Sequence, residues 1–260
     1  MNKNLHLKKS LGQNFLNDAN IVKKIVDITN ITDNALIIEV GPGSGVLTQE
    51  LVKYNANVIS IEIDERLKIY LDKLKYQNLE IIYGDFLKTD LKKLVENYNY
   101  SKLILVANVP YYITSPIITK VIESKLFDEI TIMVQKEVGN RLKATPFSSN
   151  YGFLSVYMQY YFEINDSFIV EKKYFTPVPK VDSMVVNFKR ICRNDNIDIK
   201  LFFDFVRECF KQKRKNLKNN LSKKYDVEKL ENLLTNINKT NNTRAEELTI
   251  EEFIYLFNNL

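Results

Sequence analysis

The sequence predicts an α/β domain on a mostly parallel sheet, followed by a small all-α domain. Three observations carry this. Between Ala35 and about Val134, short β-rich apolar runs alternate with stretches of helical periodicity, which indicates strand–helix repeats with parallel pairing. Two later apolar runs have no clear crossover helix between them, so they are placed as an antiparallel hairpin that completes the sheet. Beyond Arg190 no strand-like run remains, and Asn, Lys, Glu and Leu dominate to the C-terminus.

In chain order, the candidate strands are residues 36–40, 58–63, 79–83, 103–107 and 130–134, separated by helix-like segments such as 65–74. The hairpin is expected from 155–162 and 184–188, joined by a linker that holds Pro177 and Pro179. In the tail, Phe203, Val206, Phe210, Leu217 and Leu221 fall on one helical face, with Arg207, Lys211, Arg214 and Lys218 in a stripe beside it. The expected domains are therefore 1–190 and 191–260.

Composition narrows the chemistry. With 260 residues, 45% hydrophobic and 27% charged, the chain can bury a sizeable core. Its net charge is only +5, but residues 189–224 hold 12 basic and 4 acidic side chains, so this stretch carries +8 and the remainder −3. Such a local excess of cations suggests a polyanionic partner or a solvated helix face. The one histidine, His6, sits in a polar N-terminal segment, which argues against a Ser-His-Asp or Cys-His hydrolase and against a multi-His metal site; no metal is expected. Cys192 and Cys209 are too few for a four-Cys zinc site and read as half-buried thiols of a reducing compartment. No apolar run approaches the roughly 18 residues of a membrane span, and no signal-peptide core follows the basic start, so a cytoplasmic protein without membrane association is expected.

The segment Glu39-Val40-Gly41-Pro42-Gly43-Ser44-Gly45 follows an apolar strand and precedes a helix-like run. Glycines there permit a tight turn and close approach of the backbone to a ligand, although such a turn alone is also ordinary βα punctuation. A dinucleotide fingerprint would need Gly at position 46, where Val46 stands, and a phosphate loop would need a Lys-Ser/Thr pair that is absent. The acid-spacer-G-x-G-x-G pattern instead resembles the first motif of Rossmann-like class I methyltransferases, which bind S-adenosyl-L-methionine. That resemblance implies a carboxylate at the end of the second strand for two ribose hydroxyls, where Glu62 stands. It implies a polar residue after the third strand for the adenine, where Asp85 follows Gly84. Taken singly, Glu62 reads equally as a strand-end acid and Asp85 as a surface residue after a turn.

The fourth strand ends in Asn108-Val109-Pro110-Tyr111. This tetrapeptide could be a proline turn, yet it falls where a methyl acceptor would lie and resembles the motif of amino-methylating nucleic-acid methyltransferases. The N6 nitrogen of adenine is a poor nucleophile until acceptors draw on its hydrogens. The Asn108 side-chain oxygen and a neighbouring carbonyl can do so, which requires positioning and a preorganised field and no strong base. Tyr111 would stack on the splayed base.

Further segments resemble one family, the small-subunit (16S-type) ribosomal RNA adenine N6,N6-dimethyltransferases, with the erythromycin-resistance methyltransferases as close relatives. Lys8-Lys9-Ser10-Leu11-Gly12-Gln13-Asn14-Phe15-Leu16 looks like its N-terminal motif, and Met133 to Val138 with Arg141 like its fifth-strand signature. Phe175-Thr176-Pro177-Val178-Pro179-Lys180-Val181-Asp182-Ser183 matches its F-x-P-x-P-K-V-D-S segment, and residues 214–221 and 244–248 look like its tail pattern. Val109, Asn216 and Lys218 depart from the usual Leu, Thr and Arg. The resemblance implies that Gln13, Asn14, Leu16, Glu39, Gly41, Gly43, Glu62, Asp85 and Asn108 line the cofactor, and that Tyr111 and Phe175 sandwich the target adenine. Without it, Phe175 reads as a core aromatic before a bend. Lys180, Lys211, Arg214, Lys215 and Lys218 are the expected RNA contacts, the helix-face cations having a solvated surface as their alternative.

The implied activity is methyl transfer to N6 of two adjacent adenosines in a hairpin loop near the 3′ end of small-subunit ribosomal RNA, within an immature small subunit, by a monomeric enzyme. The alternatives are resistance-type methylation of large-subunit RNA, N6-methylation of DNA, and an assembly factor whose main role is RNA binding.

Overall fold

A computed structural model describes residues 14–108 and 110–260, with the backbone alone at Tyr111; Gln13 and Val109 lie outside the described residues. Seven strands form one sheet: β1 (Ala35–Val40), β2 (Ala56–Glu62), β3 (Leu79–Tyr83), β4 (Lys102–Asn108), β5 (Glu129–Gln135), β6 (Phe162–Val170) and β7 (Ser183–Arg190). Their order is β3-β2-β1-β4-β5-β7-β6. The ladders from β3 through β5 are all parallel, and β7 runs antiparallel to β5.

All six residues of β1 are buried, including Leu36, Ile37 and Ile38, because a parallel strand covered on both faces selects a continuous apolar run. From β1 the chain winds outward to β2 and β3, then returns to pair β4 on the other side of β1. The strand order thus reverses between β1 and β4. Connections leave their carboxyl ends in opposite directions there and open a crevice.

Two expected elements differ. Residues 155–162 are not a strand: Phe153–Tyr161 is an α-helix, and β6 begins at Phe162. The aromatic and β-branched content of this run favours a strand, but Ser155 closes a helical first turn. Its Oγ accepts from the Gly152 N–H at 3.1 Å and donates to the Arg141 carbonyl at 2.6 Å. Phe153, Tyr157 and Tyr161, four residues apart, then form ring pairs at 5.6 and 5.9 Å. The true strand, FEINDSFIV, is an edge strand exposed over most of its length, so it lacks the apolar signal on which its detection would depend.

The continuous helical face expected from Phe203 to Leu221 is also interrupted. The Ile199–Cys209 helix stops, and a new one, Leu217–Leu221, begins after Asn216, whose side chain accepts from the Asn219 N–H at 2.9 Å. Asn216 thus supplies the side-chain oxygen of the N-cap, a position that Asn and Thr can both fill. Lys211 to Lys215 therefore occupy the connecting turn.

The chain forms two compact units. One comprises residues to Gly139 together with Glu163–Arg190; the other joins Asn140–Phe162 to Ile191–Leu260. The boundary at residue 190 is thus accompanied by an earlier excursion, 140–162, whose contacts are with the tail. The second unit has its own core, in which Tyr151, Val156 and Tyr160 pack with Phe202, Phe205 and Val206. Within it Cys209 is buried, whereas Cys192 is exposed, so neither thiol is half-buried. Among the described residues no helix is long and apolar enough to cross a membrane.

Candidate active site

The turn after β1 is built by backbone geometry that only glycine adopts cheaply. Gly41, Gly43 and Gly45 have φ of 74°, 62° and 81°. A Cβ on Gly43 would stand 3.0 Å from Phe15 Cε1, so a side chain there would crowd that ring as well as strain the backbone. The turn is tied to β2: the Gly43 N–H donates to Glu62 Oε2 at 3.0 Å, and the Asp64 N–H donates to Oε1 at 2.8 Å.

Glu62 is 3% exposed, and burial raises its pKa while these two backbone donors act in the opposite sense. Backbone donors hold the carboxylate in place and leave it acceptor capacity, which is what a vicinal diol requires. At the end of β3, Asp85 caps a short 3₁₀ turn by accepting from the Leu87 N–H at 2.9 Å. Asn108 ends β4 across the switch point.

Glu62, Asp85 and Asn108 open onto one cavity of about 290 Å³. Asn14, Leu16, Gly41, Gly43 and Phe175 also line it. Sequence reasoning missed Phe15, Ile63 and Phe86, which belong to its apolar wall. Their signal was position: Ile63 and Phe86 each directly follow a polar site residue. Ile63 is 56% exposed beside a buried carboxylate, as expected of a surface kept for the flat face of a ligand.

Glu39 stands apart. Val40 lines the cavity and Glu39, one residue earlier in the same strand, points to the opposite face. Its Oε2 accepts from Thr48 Oγ1 and Ser60 Oγ, both at 2.6 Å, which fastens the Val46–Leu51 helix and β2 beneath the glycine turn. Glu39 is thus not among the residues that line the cavity, and its carboxylate supports the turn. Full burial pushes its pKa up to about 7 despite those two donors.

The N-terminal and proline-rich motifs meet. Phe15 pairs with Thr176 and Leu16 with Phe175 in an antiparallel two-residue ladder, and Asn17 Nδ2 donates to Thr176 Oγ1 at 2.6 Å. Phe175 both lines the cavity and packs in a buried cluster with Leu16, Met133 and Val185. Lys180 is exposed in the linker. Of the tail cations, Lys211 and Lys218 pair with Glu208 at 2.7 Å and Glu231 at 2.6 Å, while Arg214 and Lys215 are exposed in the turn.

The residues present fit an adenosine-bearing cofactor: a buried acceptor for a diol, a carboxylate near the next strand end, an apolar wall, and a backbone turn cleared of side chains. A sequence profile of the family described as "Ribosomal RNA adenine dimethylase" matches residues 4–260. The chain belongs to this family. Among curated proteins this dimethylase is similar to Ribosomal RNA small subunit methyltransferase A of Mycoplasma mycoides subsp. mycoides SC, 43% identical with 96% of each chain covered. It is likewise similar to the protein of the same name from Bacillus cytotoxicus, 42% identical over 97% of this chain and 91% of that one. Among solved structures it resembles a dimethyladenosine transferase from Plasmodium falciparum, with a TM-score of 0.79, 27% identity, and 93% and 95% of the two chains covered. The 23S rRNA methyltransferase ErmE follows with 0.72, 26%, and 95% and 99%. The dimethylase is thus an S-adenosylmethionine-dependent methyltransferase with the class I fold.

Proposed function

We infer that this dimethylase methylates N6 of two adjacent adenosines in a hairpin loop near the 3′ end of small-subunit ribosomal RNA, acting as a monomer on an immature small subunit. The observation that carries the reading is Asn108 at the end of β4, opening onto the same cavity as Glu62 and Asp85 in a chain whose family is rRNA adenine dimethylases. The curated relatives named above, similar over nearly the whole chain, favour the small-subunit substrate over resistance-type methylation of large-subunit RNA.

Glu62 would hold the ribose hydroxyls, Asp85 the adenine amino group, and the Gly41–Gly43 backbone would border the remainder with Asn14 and Leu16. S-adenosylmethionine supplies an electrophilic methyl group. The Asn108 side-chain oxygen would accept a hydrogen bond from one N6–H of the target base and a neighbouring backbone carbonyl one from the other, so that electron density is drawn back onto nitrogen. Phe175 and Tyr111 clamp the base and fix its plane, and the rate gain comes from that orientation and from dipoles already in place.

The test is label transfer from S-adenosylmethionine to undermethylated small subunits, naked RNA of each subunit, and DNA. Label in small subunits supports the reading. Label confined to large-subunit RNA or DNA overturns it.

A further inference from the structure

In the helical unit, Thr145-Pro146-Phe147-Ser148 forms a tight turn closed by the Ser148 N–H donating to the Thr145 carbonyl at 3.1 Å. Proline second and a positive φ third is the type II pattern, which favours glycine at the third position. Phe147 stands there with φ 66°. It is also 72% exposed, the highest exposure among the described large apolar side chains. A bulky residue in the left-handed region is strained, and the exposed ring gains little burial in return.

The turn is nevertheless held firmly. The Phe147 N–H donates to the Glu246 carbonyl at 2.8 Å. Lys213 Nζ donates to the carbonyls of Ser149 and Tyr151, and lies 3.7 Å from the Glu246 carboxylate. Lys239 Nζ is 5.1 Å from the Phe147 ring centroid, its charge balanced by Glu252 at 3.3 Å. Lys213 thereby couples the aromatic turn to the adjoining turn that exposes Arg214 and Lys215. The Leu217 N–H, bonded to the Thr243 carbonyl at 2.9 Å, adds the segment carrying exposed Arg244. An open aromatic ring on a pinned turn among cations is the arrangement by which proteins take up unpaired nucleobases, stacking on the base while cations meet the phosphates.

We propose that Phe147 stacks on an unpaired base of the small-subunit RNA, beside phosphate contacts from Arg214, Lys215 and Arg244. This rests on the small-subunit reading above, and it adds a second RNA-contacting site in the helical unit, outside the catalytic cavity.

The test compares wild type, Phe147→Gly and Phe147→Trp as full-length proteins, using undermethylated small subunits across a salt series. Phe147→Gly should bind about tenfold more weakly, with KM for subunits raised, kcat retained and the salt slope unchanged, because stacking releases no counterions. Its melting temperature should equal or exceed that of wild type, since glycine suits the turn. Phe147→Trp should restore the affinity. Equal affinity in Phe147→Gly and wild type overturns the proposal, as does an equal loss in Phe147→Trp. A lowered melting temperature in Phe147→Gly with unchanged subunit affinity would mean that the ring serves packing alone. Wild-type protein that neither binds nor methylates small subunits overturns the underlying reading, and the Phe147 proposal with it.

Discussion

Leu16 and Phe175 face each other across an antiparallel ladder that joins the N-terminal motif to the proline-rich motif at the cavity. Both are buried, at 5% and 3%, so Phe175 is fixed by packing at the same place where it lines the cavity. Removing the ring in Phe175→Ala should cost about 3–5 kcal/mol of stability and confound any kinetic effect. Phe175→Leu retains most of the volume and loses the flat face. We expect a small fall in melting temperature with a fall of at least tenfold in kcat/KM for RNA. Turnover equal to wild type in the Leu variant would reduce Phe175 to a packing residue.

Asn108→Ala should abolish transfer and leave most cofactor affinity, because the role proposed for it is to accept from the amine as it attacks. The loss belongs in kcat. A variant that methylates small subunits at the wild-type rate would remove Asn108 from the chemistry.

Glu62→Ala and Asp85→Ala should each weaken S-adenosylmethionine binding by about 1–3 kcal/mol, the cost of losing a buried acceptor at Glu62 and a half-buried one at Asp85. Glu62→Ala should be the worse of the two, since it strands two backbone N–H groups, those of Gly43 and Asp64, where Asp85→Ala strands one, that of Leu87. Calorimetric titration measures both, and unchanged affinities would place the cofactor elsewhere.

The parallel sheet was legible because its strands are continuous apolar runs, and the glycine turn, Glu62, Asp85 and Asn108 because each occupies a strand end whose position the sheet dictates. What escaped depended on contacts distant in sequence. The Phe153–Tyr161 helix is set by Ser155 reaching the Gly152 and Arg141 backbone, which composition does not reveal. The inward turn of Glu39 follows from strand alternation, but its burial between Thr48 and Ser60 appears only when β1, β2 and the helix are assembled.

That burial makes a prediction about pH. Glu39 holds its proton more tightly folded than unfolded, its pKa being raised from 4.5 to about 7. Its contribution to stability is therefore complete below about pH 4.5 and is lost as pH rises through 7. Glu39→Gln has no such titration, so its melting temperature relative to wild type should be higher near pH 8 than near pH 5. Parallel melting curves across this range would contradict the raised pKa.

In the tail, changing Lys211, Arg214, Lys215 and Lys218 together to Gln should weaken small-subunit binding and flatten its salt dependence, with cofactor affinity unchanged. Arg214 and Lys215 should account for most of the effect, because Lys211 and Lys218 already pair with Glu208 and Glu231. Identical salt curves for wild type and variant would make this turn a solvated surface.

The central claim is that the cavity at the ends of β1 to β4 methylates paired adenosines of small-subunit RNA. The most direct measurement is nucleoside analysis of small subunits after reaction with labelled S-adenosylmethionine, with the label mapped along the RNA. We expect N6,N6-dimethyladenosine at two adjacent positions in the 3′-terminal hairpin loop, present with wild type and absent with Asn108→Ala. Label at any other base, on large-subunit RNA alone, or undiminished in the Asn108→Ala reaction would contradict it.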